Sequence, residues 1–287
     1  MDLVIQSSDL PTDAVQAFKV ACVARRVRRK LNAARLLDIQ DDADTRKAAA
    51  GLGKYWKCDC AFVPPTLALA AFRVLAVDMD STLITIESLD ELAAFAGRGA
   101  EVAALTKAAM CGEITDYGAS LRKRVALLKG VDATLLERVY DEKLRLSPGA
   151  EGLVTTCQGA GLHILLATGG FDFFASRLQA RLKLDSIWCN RLVFADGKLT
   201  GDVIGPEGAD IVDAEGKAHA LRAACAALGC PTAQAIAIGD GANDLRMLGL
   251  AGLSVAYRAA PIVQKHTAQA LDFTSLDGVL EWFAAEQ

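Results

Sequence analysis

Three short runs with no polar side chain end abruptly in acidic, hydroxyl or glycine residues. Val74-Leu75-Ala76-Val77 runs into Asp78-Met79-Asp80-Ser81-Thr82, and Ile164-Leu165-Leu166-Ala167 into Thr168-Gly169-Gly170. Ala235-Ile236-Ala237-Ile238 runs into Gly239-Asp240-Gly241-Ala242-Asn243-Asp244. A run that is apolar on both of its faces predicts a strand covered on both sides, the environment of a parallel sheet. Leu253-Ser254-Val255-Ala256 is a fourth candidate, and periodic segments between the runs supply crossover helices. The expected fold is therefore α/β, with a doubly wound parallel-sheet core. Ligands of such sheets bind beyond the carboxyl ends of the strands, so the three polar ends are expected to meet.

Elsewhere the pattern differs. Between residues 87 and 146 there is no strand signal, and the stretch reads as several helices inserted after the first strand, with Gly97, Gly112, Gly118 and Gly130 as breaks. Residues 187–194 and 199–204 flank Asp196-Gly197-Lys198, a hairpin turn. Residues 1–70 read as a small α+β domain. Its strands are expected at Leu3-Val4-Ile5, at 34–39 and at 60–63, and its helices over 13–20 and 44–52. Pro64-Pro65 forbids regular structure and marks its end. The basic run Arg25-Arg26-Val27-Arg28-Arg29-Lys30 has no interleaved aromatic residue and reads as a solvated helix face.

At 287 residues the chain has room for about two domains. Its 31 basic and 35 acidic side chains leave a net charge of −4, which gives no global reason to bind nucleic acid. Pro64, Pro65 and Arg73 interrupt the most apolar stretch, so no membrane span is expected. The start, Met1-Asp2-Leu3, lacks the basic region of a signal peptide. Eight scattered cysteines match no zinc spacing and are expected to be reduced and mostly buried, which points to the cytoplasm. His163, His219 and His266 stand at no ligand spacing.

Several buried aspartates at one place repel one another unless a cation neutralises them. Oxygen ligands of this kind suit Mg²⁺, which binds one or two carboxylates together with substrate phosphate. In Asp78-Met79-Asp80 two carboxylates lie two residues apart just past a strand. One can attack a phosphorus atom while the other handles the proton of the leaving group. The competing reading is a strand-end turn whose Asp and Ser residues merely cap a helix.

These segments resemble the haloacid dehalogenase superfamily and, within it, the bacterial phosphoserine phosphatase family. The resemblance extends over residues 72 to about 275. It includes Glu87, Asp90-Glu91-Leu92-Ala93, Ala119-Ser120-Leu121-Arg122-Lys123-Arg124-Val125, Gly170-Phe171, Asn190-Arg191-Leu192 and Lys198-Leu199-Thr200-Gly201. It implies a core over residues 71–287, with a helical cap inserted at about 87–147. Residues 1–70 are similar, more weakly, to the degenerate amino-acid-binding-type domain of some members. Their role stays open between effector binding, homodimerisation and a structural vestige.

By resemblance Asp78 is the nucleophile that forms an aspartyl-phosphate, and Asp80 is the general acid and base. Mg²⁺ is implied at Asp78, the main-chain carbonyl of Asp80, and Asp240, with Asp244 in support. Thr168, Gly169 and Asn243 are implied phosphoryl contacts, and Lys217 stabilises the charge on the nucleophile. Thr168 stands where serine is common in the family, and either residue supplies the hydroxyl. The segment 206–209 reads as a short insertion, so the register of Lys217 is inferred across a gap. Glu87 would accept the substrate ammonium and Arg124 would pair with its carboxylate, with Met110 and Phe171 as apolar walls. The implied activity is hydrolysis of O-phospho-L-serine to L-serine and phosphate, the last step of serine biosynthesis. Two alternatives remain: phosphoryl transfer to another alcohol such as homoserine, and an amino-acid-binding protein on an inactive scaffold.

Overall fold

The computed structural model describes residues 1–111, 113–114, 116–208 and 210–284, apart from the side chain of Met110. A four-stranded antiparallel sheet comes first, built from β1 (Asp2–Gln6), β2 (Arg26–Arg29), β3 (Ala33–Leu37) and β4 (Asp59–Val63) in the order β2-β3-β1-β4. Helices α1 (Thr12–Ala21) and α2 (Ala43–Trp56) cover one face of it. Alternation along β1 explains why all five of its residues are buried. Leu3 and Ile5 point to Phe18, Leu36 and Phe62 under the two helices. Val4 points the other way, into a cluster shared with Phe72, Val279 and Trp282 of the larger part of the chain.

The second sheet has seven strands: β5 (Val74–Val77), β6 (His163–Phe171), β7 (Ser186–Ala195), β8 (Lys198–Ile204), β9 (Ala235–Gly239), β10 (Leu253–Tyr257) and β11 (Gln269–Leu271). Their order is β11-β10-β9-β5-β6-β7-β8, and only the β7–β8 pair is antiparallel. The expected α/β core, the hairpin and the small antiparallel sheet are all present. Three helices form most of the insert after β5: α3 (Ser88–Phe95), α4 (Gly99–Met110) and α5 (Tyr117–Ala126). A shorter α6 (Thr134–Arg138) completes the helical cap. The flanking helices are α7 (Ala150–Gly159), α8 (Asp172–Leu182), α9 (Ala214–Ala227), α10 (Leu245–Leu250) and the single turn α11 (Pro261–Gln264). Among the described residues no helix is long and apolar enough to cross a membrane.

The central strands divide two cores by alternation. Leu75, Val77, Ile164, Leu166, Ile236 and Ile238 face one side. Val74, Ala76, Ala167, Ala235 and Ala237 face the other, with Leu221, Cys225 and Met247 of α9 and α10. The second set is mostly alanine, so α9 can lie close to the sheet. Asp78 is still extended (φ −73°, ψ 160°), so its side chain follows Val74 and Ala76 onto the face that α9 covers.

Two expectations are corrected. The basic run is an edge strand, β2, rather than a helix face, because it pairs with β3 in the register Arg28↔Arg35. Tertiary pairing overrides the helix preference of arginine. The charges on this edge also discourage pairing with another strand. Gly118 lies in the first turn of α5 rather than at a break, behind the capping carboxylate of Asp116, which accepts from the Ala119 amide at 2.8 Å. Gly97 and Gly130 do follow helices, both with positive φ, and Gly112 lies outside the described residues. All eight cysteines are free, and five of them are buried.

One carboxylate ties the small sheet to the end of the chain. Asp59 on β4 accepts from the amides of Asp272 (2.7 Å), Phe273 (3.1 Å) and Thr274 (2.9 Å), and from the Thr274 hydroxyl (2.6 Å). Removing a buried acceptor leaves those donors unsatisfied. Asp59→Ala is expected to lower stability by about 3 kcal/mol, read as a shift of the urea midpoint; an unchanged midpoint would show that solvent satisfies the donors.

Candidate active site

Four segments deliver polar side chains to the carboxyl end of β5. Past Asp78 the chain does not enter a regular helix. Asp80 stays extended and Ser81 takes a left-handed conformation (φ 54°), which costs a non-glycine residue about 1–2 kcal/mol. The turn closes through the Ser81 amide to the Ile86 carbonyl (3.0 Å), and the Ser81 hydroxyl donates to Glu87 at 2.6 Å. The reversal aims Asp80 at the first turn of α3. There the Ser88 amide and hydroxyl donate to the two oxygens of its carboxylate at 3.0 and 3.1 Å.

Lys217, near the start of α9, is fully buried, with its ammonium 2.6 Å from Asp78 Oδ1 and 2.7 Å from Asp244 Oδ1. The second oxygen of Asp244 accepts from the amides of Asp240 and Gly241 at 3.1 and 3.0 Å. A Cβ on Gly239 would run into this carboxylate, which is why glycine ends β9. Asp240 in turn accepts from Thr82 at 3.0 Å. Asp78, Asp240 and Asp244 each offer an oxygen within 4.8 Å of the others. Three carboxylates against one ammonium leave an excess of negative charge, and the donor set fits a hard divalent cation. The acidic cluster is thus consistent with a metal ion.

The third segment is the end of β6. Thr168 is buried, and its oxygen accepts from the Gly170 amide at 2.8 Å, which leaves its hydroxyl hydrogen free to donate. Asn190 on β7 clamps this segment. Its amide nitrogen donates to the Gly169 carbonyl (2.8 Å), and its oxygen accepts from the Val212 amide (2.7 Å) just before α9. One buried amide thereby ties the end of β6 to the segment before α9.

The cap supplies the fourth segment. Glu87, Tyr117 and Arg124 line the same cavity as Asp78, Asp80 and Thr168. Arg124 is 2% exposed, and its Nε and Nη2 have no partner among the described residues. A buried guanidinium with two unmatched donors calls for an anion. The cavity holds only about 20 Å³, room for roughly one water molecule. A larger cleft of about 540 Å³ lies by β2 and β3, but there Arg26, Lys30 and Arg35 are already matched by Asp38, Glu281 and Asp2.

Crowding shifts the titrations. Burial, then the Asp244 charge, pushes Asp78 up to about 7 against the pull of Lys217. Burial, then Asp78, pushes Asp80 up to about 7 against the Ser88 bonds. Burial, then Asp80, raises Glu87 to about 8. Asp240 is raised well above the ordinary range, by burial and then by Asp78. Burial works to lower Lys217, but Asp244 and Asp78 outweigh it and hold the amine charged.

All ten site residues expected from the sequence gather around this cavity and cluster. Phe171 lines it as an apolar wall, whereas the Met110 side chain lies outside the described residues. The histidines stay apart: His163 bonds to Ser186, His219 packs beside Trp188, and His266 contacts the Ile262 carbonyl. Residues not anticipated include Ser88, Thr82, Tyr117 and Asn190. Of these, Thr82 and Asn190 stood in segments already singled out.

A family model described as haloacid dehalogenase-like hydrolase matches residues 75–249. A phosphoserine phosphatase of Polaromonas sp. is 52% identical over 217 residues, which cover 76% of this chain and 92% of that one. A solved structure titled as a phospho-aspartyl intermediate analogue of phosphoserine phosphatase is 33% identical, with a TM-score of 0.69, over 74% of this chain and 99% of that one. The unliganded structure of a probable phosphoserine phosphatase from Vibrio cholerae covers 98% of this chain and 85% of its own, with 32% identity and a TM-score of 0.79.

The raised carboxyls have a consequence for the protein in a chelator. Folded carboxyls near 7 and 8 hold protons that an unfolded chain has already released near 4, so folding takes up protons. Their contribution to stability therefore falls as pH rises through this interval. In EDTA the melting temperature is expected to drop between pH 6 and pH 8, and Asp240→Asn is expected to flatten that drop. Equal slopes for the two proteins would refute the electrostatic account.

Proposed function

The chain belongs to the haloacid dehalogenase-like hydrolases and, within them, to the phosphoserine phosphatase family, and from this premise we propose how its own residues hydrolyse O-phospho-L-serine. The observation that carries the reading is one cavity lined by an aspartate pair, a half-buried carboxylate (Glu87) and a buried guanidinium (Arg124) with donors to spare. A substrate with a phosphoryl group, an ammonium and a carboxylate matches these features. Glu87 accepts the ammonium, and Arg124 offers the carboxylate its planar fork.

Thr168, Gly169 and Asn243 orient the phosphoryl oxygens. An Asp78 oxygen attacks phosphorus, and the bond from phosphorus to the seryl oxygen breaks. Asp80, whose carboxyl is pushed up by burial and by the Asp78 charge, gives a proton to the leaving oxygen. Serine departs and leaves an aspartyl-phosphate on Asp78. Asp80 then takes a proton from water as the water attacks phosphorus, which releases phosphate and restores both carboxyls. Lys217 faces the nucleophile throughout and offsets the charge that develops on it.

The group best suited to the acidic cluster is Mg²⁺; Asp78, the Asp80 carbonyl and Asp240 would hold it with support from Asp244, and it would neutralise phosphoryl charge and favour an ionised Asp78. In this reading residues 1–70 form a separate domain and the rest of the chain the catalytic part, whose insert at about 87–147 sets substrate choice. Eight free thiols support a cytoplasmic enzyme.

Phosphate release from O-phospho-L-serine is expected with Mg²⁺ and is expected to vanish in EDTA. It should exceed release from O-phosphothreonine and p-nitrophenyl phosphate. Asp78→Asn, nearly isosteric, should lower turnover by at least about 10³-fold while leaving the fold intact. Near-normal metal-dependent hydrolysis by that variant would remove Asp78 as nucleophile. Release from p-nitrophenyl phosphate alone would overturn the substrate and leave the aspartate chemistry standing.

A further inference from the structure

Among the described residues Arg124 does not meet a carboxylate directly. Its Nη1 donates to the hydroxyl oxygen of Thr106 at 3.0 Å, and that same hydroxyl donates to Asp90 Oδ1 at 2.5 Å. The three residues sit on three different cap helices: Asp90 on α3, Thr106 on α4 and Arg124 on α5. Thr106 and Arg124 are 3% and 2% exposed, so solvent cannot replace either bond.

A hydroxyl has one hydrogen, and here Asp90 takes it, so the oxygen can only accept from the guanidinium. This fixes the polarity of the chain of bonds. Negative charge on Asp90 makes the Thr106 oxygen a stronger acceptor, and Nη1 is held to one side of the fork. Nε and Nη2 are left without a partner among the described residues, on a side chain that lines the cavity. A direct ion pair with Asp90 would instead satisfy the fork and remove its reason to bind a ligand. The hydroxyl separates the two charges while still orienting the cation.

We propose that Thr106, backed by Asp90, is the positioning residue that aims Arg124 at the carboxylate of the substrate, and so sets the preference for an amino-acid phosphate over one lacking the carboxylate. This rests on the reading that Arg124 receives that carboxylate. Thr106 is not among the residues that line the cavity. Its contribution falls on recognition rather than on the chemical step.

The test compares O-phospho-L-serine with O-phosphoethanolamine, which keeps the amine and the phosphate but has no carboxylate. Thr106→Val preserves shape and removes both bonds. It is expected to raise KM for phosphoserine about ten-fold, the effect of losing one bond to a charged group, with kcat within about two-fold. Catalytic efficiency on phosphoethanolamine is expected to be unchanged, and Thr106→Ser to restore the wild-type preference. An equal loss on both substrates, or a loss in kcat alone, would show a merely structural role and overturn the proposal. Should Thr106→Val fail to fold, Asp90→Asn keeps the acceptor and removes its charge, and must shift the ratio of the two substrates in the same direction. Arg124→Met separates the two levels of the argument. If it leaves the substrate ratio unchanged, Arg124 is not the carboxylate anchor and the substrate reading fails. If it abolishes the preference while Thr106→Val and Asp90→Asn do not, only the positioning role fails.

Discussion

A single buried ammonium holds the site together. Lys217 is without solvent contact, and burying a lone cation is prohibitive. It is tolerable here because Asp78 and Asp244 stand 2.6 and 2.7 Å away, just past the carboxyl ends of two neighbouring strands. Those carboxylates could not sit so close to each other without it. The arrangement is weak evidence for stability, since a buried ion group often does no better than apolar packing. It is better understood as a device that keeps β5, β9 and α9 in one relative position. The alanine-lined face of the sheet serves the same end by letting α9 approach closely enough for a lysine to span the gap.

The sheet was legible in the sequence because its strands are apolar on both faces, which few other environments explain. Val74-Leu75-Ala76-Val77 and Ala235-Ile236-Ala237-Ile238 needed no context. β2 was not legible: Arg26–Arg29 carries no strand signature, and only pairing with β3 defines it. β11 has three residues, too few for any periodicity. Likewise, the aspartates could be found by their place after strands, whereas Lys217 was reached only through the resemblance to the family. Ser88, Thr106 and Asn190 could not be found as site residues, because hydroxyl and amide side chains act through partners that are distant in sequence. Asn190 and Val212 lie 22 residues apart, and Thr106 and Arg124 lie 18.

The cap and the core divide the labour differently from what the chain order suggests. The sheet ends supply groups suited to a phosphoryl group. Cap helices supply the groups suited to the rest of an amino acid. The first turn of α3 belongs to both, since it carries Ser88, which holds Asp80, and follows Glu87, which is held by Ser81.

That shared turn matters because the cavity of about 20 Å³ is far smaller than an amino-acid phosphate. Room for one would come from movement of the groups around it, and α3 lines it through Leu89. The Ser88 bonds tie the direction of the Asp80 carboxylate to the position of α3, so a shift of that helix away from the core would loosen both at once.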